Sequence, residues 1–511
     1  MLFNQKRRSN RDILLVSVWG ILLVVTLLGT GCSGGTSGTA TQQSNGLFSS
    51  GSGPSAPTGT LQVRLGAEPS DQILACQLEI TSIQLRKSTD SSVAVDLLPG
   101  ANEIELTRLA ATFEPMSIVD PPQDTYDQLQ MVVSGATVTS IDSAGQIYQQ
   151  TISSSLTSAL TLSPAVTISD VPTIMDIDVD LSQTVQLDST SHLITLNAPV
   201  MIAAQIDIAG PGGAPSMARG VPRRTLSSIS NAQSGQFERM TGTASAVLSS
   251  QLTLVGNGKS PLAIQFDGNT VFEDVAPSNL SGMLVEVEGW TLPDGTLYAD
   301  EVEGIFANTG SEMEGPLSGN TPSGSLFIVS QDGVGAGMKN SLIGAKVTSE
   351  LDGTASYRVN LGDEDTTGLN LIFDSSHIFV GQRVEFDSYS PLVTPDWEGN
   401  AAQIQPYMVE LLRQTLTGTV SNYTVTGAGT AEFDLALTPK SYVSILNQGS
   451  ASVHVYQRST TELVQLSNGV QNGSSITMRG FMFCTDTNDY LPPGTPLHFA
   501  VLPSLLQPAG D

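Results

Sequence analysis

An almost entirely β-structured protein, an antiparallel sandwich followed by about three small barrels or sandwiches in series, is what this sequence predicts. Three observations carry the prediction. Apolar residues alternate with polar ones at period two rather than 3.6, turn residues recur between the alternating stretches, and the C-terminal half repeats itself roughly every 90 to 100 residues.

The chain opens on Lys6, Arg7, Arg8 and Arg11, followed by an uncharged stretch from Ile13 to Leu28 and the small residues Gly29, Thr30, Gly31 and Cys32. This is the layout of an export signal. A bilayer-spanning helix needs about 20 apolar residues, and this stretch offers fewer, so residues 1–31 are expected to be a cleaved leader. A cysteine directly after small residues resembles the lipobox of bacterial lipoproteins, although Gly29 stands where that family usually has leucine. The resemblance implies a diacylglycerol on Cys32. With several acyl chains, each contributing about 0.8 kcal/mol per buried methylene, such an anchor needs no spanning helix. Ser33, rather than aspartate, follows the cysteine, which by analogy with Gram-negative sorting implies the outer membrane. Residues 32–58 are Gly, Ser, Thr and Ala with hardly a large side chain, the composition of a flexible tether.

Loss of the leader removes four of 21 Lys+Arg and one of 49 Asp+Glu, leaving 17 against 48 and a net charge of −31. Nucleic acid is an improbable partner, because phosphate backbones are gripped by clustered Lys and Arg and no cluster survives outside the leader. The other cysteines, Cys76 and Cys484, lie far apart in strand-like sequence, so a disulfide framework is excluded and two buried thiols are expected.

From 59 to 208 the alternation runs through Leu61, Val63 and Leu65, then Leu129, Met131 and Val133, then Met175, Ile177 and Val179. Turns fall at Pro99-Gly100, Asp120-Pro121-Pro122 and Ser143-Ala144-Gly145, as in an antiparallel sandwich; only Glu105–Phe113 looks briefly helical. Residues 209–237 break the composition and read as a linker. Three modules follow, at 238–310, 311–412 and 413–511. Each opens on a glycine-bearing strand (Thr241-Gly242-Thr243, Gly315-Pro316-Leu317, Thr417-Gly418-Thr419) and later carries an alternating one (Val285-Glu286-Val287-Glu288-Gly289, Arg383-Val384-Glu385-Phe386, Ile476-Thr477-Met478-Arg479-Gly480). Closure into small barrels would remove exposed strand edges.

The stretch Gly59–Ile208, with Leu61-Gln62-Val63-Arg64-Leu65 and Met175-Asp176-Ile177-Asp178-Val179-Asp180-Leu181, resembles an uncharacterised N-terminal β-sandwich domain of bacterial lipoproteins, with Gly66-Ala67-Glu68-Pro69 in place of that family's usual turn. Met240–Ile305 resembles a second uncharacterised family, of small β-barrel repeats, through Gly282–Gly289 and Asp294–Glu303. Neither resemblance implies a reaction.

The chemistry-bearing residues are few. Asp176, Asp178 and Asp180 alternate along one strand and so share a face about 7 Å apart, which suits a hard cation such as calcium if a loop adds oxygens; the alternative is a solvated outer face. Trp290 and Trp397 occupy similar places in successive repeats and could stack on sugar rings or fill a core. His192, His377, His454 and His498 each stand alone, without a ligand at metal spacing. Gly31-Cys32-Ser33-Gly34-Gly35 matches a nucleophile elbow only formally, lying as it does at the leader junction, and Gly258-Lys259-Ser260 lacks the first glycine and the helix of a phosphate loop. The expected protein is therefore a noncatalytic cell-envelope lipoprotein whose β-modules scaffold or recognise an envelope partner. A carbohydrate- or polymer-binding surface protein, or a hydrolase whose residues converge only in space, are the alternatives.

Overall fold

The computed structural model describes residues 57–509 except 69, 99–101, 189, 208–216, 220–235, 257–258, 292–294, 306–309, 321–325, 336–341, 352, 362–363, 393–401, 448–451, 464–465, 467–468 and 486–498. The described residues are 62% strand and 5% helix, and no helix among them is long and apolar enough to cross a membrane.

The first module contains β1 (Leu61–Glu68), β2 (Ile73–Lys87), β3 (Asp90–Asp96), β4 (Asn102–Glu105), β5 (Phe113–Val119), β6 (Thr125–Ile141), β7 (Ile147–Thr167), β8 (Thr173–Asp180), β9 (Val185–Leu187), β10 (Ile194–Leu196), β11 (Val200–Asp207) and β12 (Met217–Arg219). They form one sheet in the order β12-β11-β8-β1-β5, another in the order β3-β2-β6-β7, and the small pair β10-β9. Period-two alternation puts Leu61, Val63 and Leu65 of one sheet, and Leu129, Met131 and Val133 of the other, into one core with Met175, Ile177 and Val179. Each fully buried side chain of this size contributes about 1.5–3 kcal/mol. The pairing departs from purely antiparallel at one place. β1 and β8 run parallel, Leu61 opposite Thr173 and Glu68 opposite Asp180, because the intervening strands carry the chain across the sandwich before it returns beside β1. The expected helical stretch is a single 3-10 turn at Thr107–Leu109, and part of the expected linker, β12, pairs with β11.

The second half contains three barrels. The first is β13 (Gln236–Val247), β14 (Gln251–Val255), β15 (Leu262–Gln265), β16 (Val271–Glu273), β17 (Leu284–Thr291) and β18 (Leu297–Ile305). The second is β19 (Ser311–Asn320), β20 (Leu326–Val329), β21 (Asp332–Gly335), β22 (Lys346–Ser349), β23 (Ser356–Val359), β24 (Arg383–Ser388), β25 (Gln403–Ile404) and β26 (Met408–Leu411). The third is β27 (Arg413–Gly427), β28 (Thr430–Leu437), β29 (Ser452–Gln457), β30 (Glu462–Leu463), β31 (Ser475–Cys484) and β32 (Phe499–Pro508). In the first, β13 pairs with β14 and β17, β14 with β15, and β17 with β18, and a parallel β15–β18 contact closes the ring. β27, β28, β29, β31 and β32 repeat the scheme with a parallel β29–β32 closure, whereas the second sheet runs β23-β26-β24-β19-β20-β22-β25, ending on the parallel β22–β25 pair. In the first and third modules this connectivity, 1-2-3-5-4-1 with strands 3 and 5 parallel, is that of the five-stranded OB barrel.

The glycine of each opening strand has a steric reason. A Cβ on Gly418 would lie 2.3 Å from the Ala436 carbonyl oxygen, and one on Gly289 of the later strand 2.0 Å from that of Tyr298. The tightly coiled strands of so small a barrel leave no room for a side chain there.

The modules are joined through buried contacts. Thr139 donates to the Gly344 carbonyl at 2.6 Å and Gln331 to the Leu74 carbonyl at 2.7 Å, binding the sandwich to the second barrel. The Tyr442 amide donates to the Asp71 carbonyl at 2.8 Å, and Thr415 to that of Ala110 at 2.8 Å, binding it to the third. Phe481, Phe483 and Leu502 of the third barrel pack in one apolar cluster with Val384 and Phe386 of the second.

Candidate functional site

Of the residues singled out from sequence, Cys32 and Trp397 lie outside the described residues, as does His498. Trp290 lies in β17 opposite Gln236 and Tyr298; its side chain is not among those described.

The aspartate ladder is not a solvated face. Asp176, Asp178 and Asp180 do share one side of β8, but all three are buried. Arg64 stands beside Asp176 in the parallel register and grips it bidentately, Nε to Oδ1 at 2.6 Å and Nη2 to Oδ2 at 2.7 Å. Asp180 caps the short helix α1 (Leu181–Thr184), accepting from the Gln183 amide at 3.1 Å and the Ser182 hydroxyl at 2.6 Å. Alternation fixes which residues share a face but is silent on what covers it.

Cys76 and Cys484 are both buried thiols in no disulfide; burial pushes the Cys76 thiol far above its usual range. His192 stacks on Tyr148 with centroids 4.4 Å apart, and His377 Nδ1 lies 2.7 Å from Asp374.

His454 is placed differently. In OB barrels the face of strands 2 and 3 is the usual ligand surface, and in the third barrel those strands are β28 and β29. Phe433, Leu435, Val453 and Val455 point inward to the core. The alternate positions point outward: Asp434 opposite His454 and Glu432 opposite Tyr456. His454 Nδ1 is 2.9 Å from Asp434 Oδ1, and Asn422 donates to Asp434 Oδ2 at 2.7 Å. Those contacts, that of Asn422 first, hold the Asp434 carboxyl below the ordinary carboxylate range. Tyr456 meets the His454 ring edge to face at 4.8 Å, and the Arg458 guanidinium lies 5.6 Å over Tyr456. Two rings, two carboxylates, an amide and a guanidinium thus stand on one open sheet face. They can stack on a flat apolar surface while exchanging hydrogen bonds with hydroxyl groups.

The densest chemistry lies between modules. A cavity of about 50 Å3 opens where the sandwich meets the second and third barrels, lined by Arg108, Arg383, Arg479, Gln331 and Tyr442. Arg383 donates to Glu314 at 2.7 Å and to Gln331 at 2.9 Å, and Arg479 to the Ala110 carbonyl at 3.1 Å. Buried Glu114 of β5 is held by Arg108 and by Lys259 of the first barrel. Lys259 of the false phosphate loop is thus an inter-module tie.

Between the first and second barrels two acidic sheet faces meet. Glu273, Glu286, Glu301 and Glu303 come from one side, and Glu312, Glu314, Glu385, Asp387 and Glu410 from the other. Arg239 reaches Glu286 at 2.9 Å, Glu314 at 3.5 Å and Glu312 at 3.7 Å, and also pairs with Glu385. Arg358 reaches Glu273 at 3.2 Å and Glu303 at 3.4 Å and pairs with Glu410. Among the described residues Arg239 and Arg358 each pair with carboxyls of both faces, and Arg383 also pairs with Glu314. Burial, then crowding by like charge, raises Asp387 and Glu301 to about 7 and pushes Glu312 well above its ordinary value. Glu314, despite burial, is held low by Arg383 and Arg239. In the sequence several of these acids alternate with valine and phenylalanine, as in Val285-Glu286-Val287 and Val384-Glu385-Phe386; only the meeting of the two faces brings them together.

Residues 241–303 match one family model. It is described as a domain of unknown function (DUF5666) and coincides with the first barrel. No curated protein matches the chain. Among solved structures, the wild-type single-stranded DNA binding protein from Thermus aquaticus is similar at 14% identity, covering 39% of this chain and 91% of that one with a TM-score of 0.14. A deletion mutant of the same protein is similar at 14% identity, covering 39% and 93%, again with a TM-score of 0.14. At that TM-score the likeness has no bearing on what this chain binds. The DUF5666 segment carries the first barrel's four seam glutamates, Glu273 of β16, Glu286 of β17 and Glu301 and Glu303 of β18.

Proposed function

We propose that this protein is a noncatalytic lipoprotein of the bacterial cell envelope, lipidated on Cys32, held at the outer membrane, and acting as a scaffold that presents β-module faces to an envelope partner. One observation supports this reading above the others. Buried bonds tie distant modules together, Thr139 to Gly344, Tyr442 to Asp71 and Lys259 to Glu114, which suits a spacer holding its faces at fixed separations. The strong acids and bases at these junctions are engaged with one another. Replacing Cys32 with alanine in the full chain should move the protein from the membrane fraction to the soluble one. Retention of that variant in the membrane fraction would overturn the lipid anchor.

A second reading, a carbohydrate- or polymer-binding surface protein, draws on the open face of Asp434, His454 and Tyr456. A ring beside carboxylates suits sugar hydroxyls and apolar sugar faces, whereas the carboxylates would repel a phosphate backbone. Retention of the full chain on immobilised envelope polysaccharide, abolished by Tyr456→Ala, is the expected result. Equal retention of wild type and variant would remove this face from consideration.

A further inference from the structure

We infer that the outer edge of β7 is a self-association surface, where Leu156–Leu160 pairs antiparallel with the same stretch of a second copy of this chain about a two-fold axis at Ser158. β7 is 21 residues long and ends the sheet β3-β2-β6-β7, and among the described residues no strand pairs with its far side. The backbone N–H and C=O groups of such an edge are a template for one more strand. Proteins ordinarily blunt an edge with charge or with short length. β3, at the opposite end of the same sheet, does both, having 7 residues and beginning and ending on Asp90 and Asp96. β7 does neither: in a chain of net charge −28, no residue from Ser143 to Ser169 is charged.

The place and the occupant follow from what lies along the strand. Near its start Gln149 donates to the Ile343 carbonyl at 3.2 Å, and Gln150 exchanges bonds with the Ile194 backbone at 3.0 and 3.2 Å. Beyond these ties, one register shift opposite Val133 and Gly135 and another between Tyr126 and Gln128 bracket a stretch of unbroken pairing, Leu156–Thr161 against Val133–Gln128. Within it Leu156 and Leu160 stand opposite Val133 and Leu129 and pack on the sandwich core, yet they are only half-buried, since β7 is the last strand of its sheet. Thr157 and Ala159 point the other way and are exposed. The pattern is its own complement. Turned about Ser158, Leu156 of one copy falls opposite Leu160 of the other, and Thr157 opposite Ala159. Each leucine then gains a cross-strand apolar neighbour at about 4.5–5.5 Å between Cβ atoms, and no charge is brought against another. A two-fold pair of this kind uses the same patch on both copies, which is what a self-complementary edge allows.

The test is disulfide trapping of the full chain, purified in detergent, together with sedimentation. Directly opposed residues of an antiparallel pair have Cα atoms about 4.5–5.5 Å apart, within disulfide range. Ser158→Cys should therefore cross-link to itself under mild oxidation, whereas Thr81→Cys, exposed on the inner strand β2, should not. So short a paired stretch makes a small interface, and dissociation in the micromolar range is expected. Lysine at both Thr157 and Ala159 sets like charges directly opposite each other and should lower the yield of the Ser158→Cys dimer about ten-fold or more. The melting temperature should stay unchanged, because both side chains are exposed. Mixing the lysine variant with one carrying glutamate at the same two positions should restore the cross-link, now between unlike chains. No more cross-linking at position 158 than at position 81, a yield indifferent to the lysines, or a wild-type monomer mass at roughly 100 µM would overturn the assignment and leave the edge to a strand of another protein.

Discussion

The second barrel has two seams of opposite kind. Toward the third barrel it offers Val384 and Phe386, against which Phe481, Phe483 and Leu502 pack. Toward the first it offers Glu312, Glu385 and Asp387 to a facing row of glutamates, with Arg239 and Arg358 between. The apolar seam is held by area removed from water and is indifferent to pH and ions. The acidic seam is held by two cations against an excess of carboxylates, so its strength depends on protons and on any ion that enters. One molecule thus combines a permanent joint with a conditional one.

The comparison can be broken in several ways. Phe481→Ala should cost the most, about 4 kcal/mol, by leaving a cavity in the apolar joint. Denaturant unfolding should show that loss unchanged between about pH 5 and 8. Arg239→Ala should cost about 3 kcal/mol near neutral pH by stranding Glu286 and Glu385, and distinctly less near pH 5, where protonated carboxyls need no partner. A pH-independent loss would show that Arg239 acts by packing alone.

Wild-type stability itself should fall as pH rises. Glu301 and Asp387 are raised to about 7 in the folded chain, against about 4 in an unfolded one. Between those values the folded state holds more protons, so stability declines through that window and stays lower above it. Glu114 and Glu314 are depressed and oppose this only as pH falls below the unfolded carboxyl range. A melting temperature higher at about pH 5 than at about pH 8 is the expected outcome, measured by calorimetry. The smallest effect belongs to the outward face of the third barrel. Tyr456→Ala should change stability by no more than about 0.5 kcal/mol, which lets a binding assay be read without a folding correction.

The all-β class was legible because alternation and glycine placement are local facts. Gly418 and Gly289 each answer to one close carbonyl, and Leu61, Val63 and Leu65 each answer to one core. The sites were not legible, because each is made where separate faces meet. Asp176 looked solvated until Arg64, 112 residues earlier, was found beside it. Glu286 and Glu385 stand on alternating strands of two separate repeats, and nothing local marks that these faces cover each other. The parallel β1–β8 pair was hidden for the same reason, since the direction of pairing between remote strands leaves no local mark. His454 carried a weak signal, an outward histidine between Val453 and Val455, that gains meaning only with Asp434 opposite.

The bond from the Tyr442 amide to the Asp71 carbonyl joins residues 371 positions apart, and β32, at the C-terminal end, closes the third barrel against β29 and β31. Because synthesis proceeds N-terminus first, the earliest module to emerge waits longest for its last contacts. Such non-local pairing slows folding and lengthens the interval in which open strand edges are exposed. Maturation therefore hinges on the trailing end of the chain, and loss of the final strand would leave both that barrel and the lip of the sandwich unfinished.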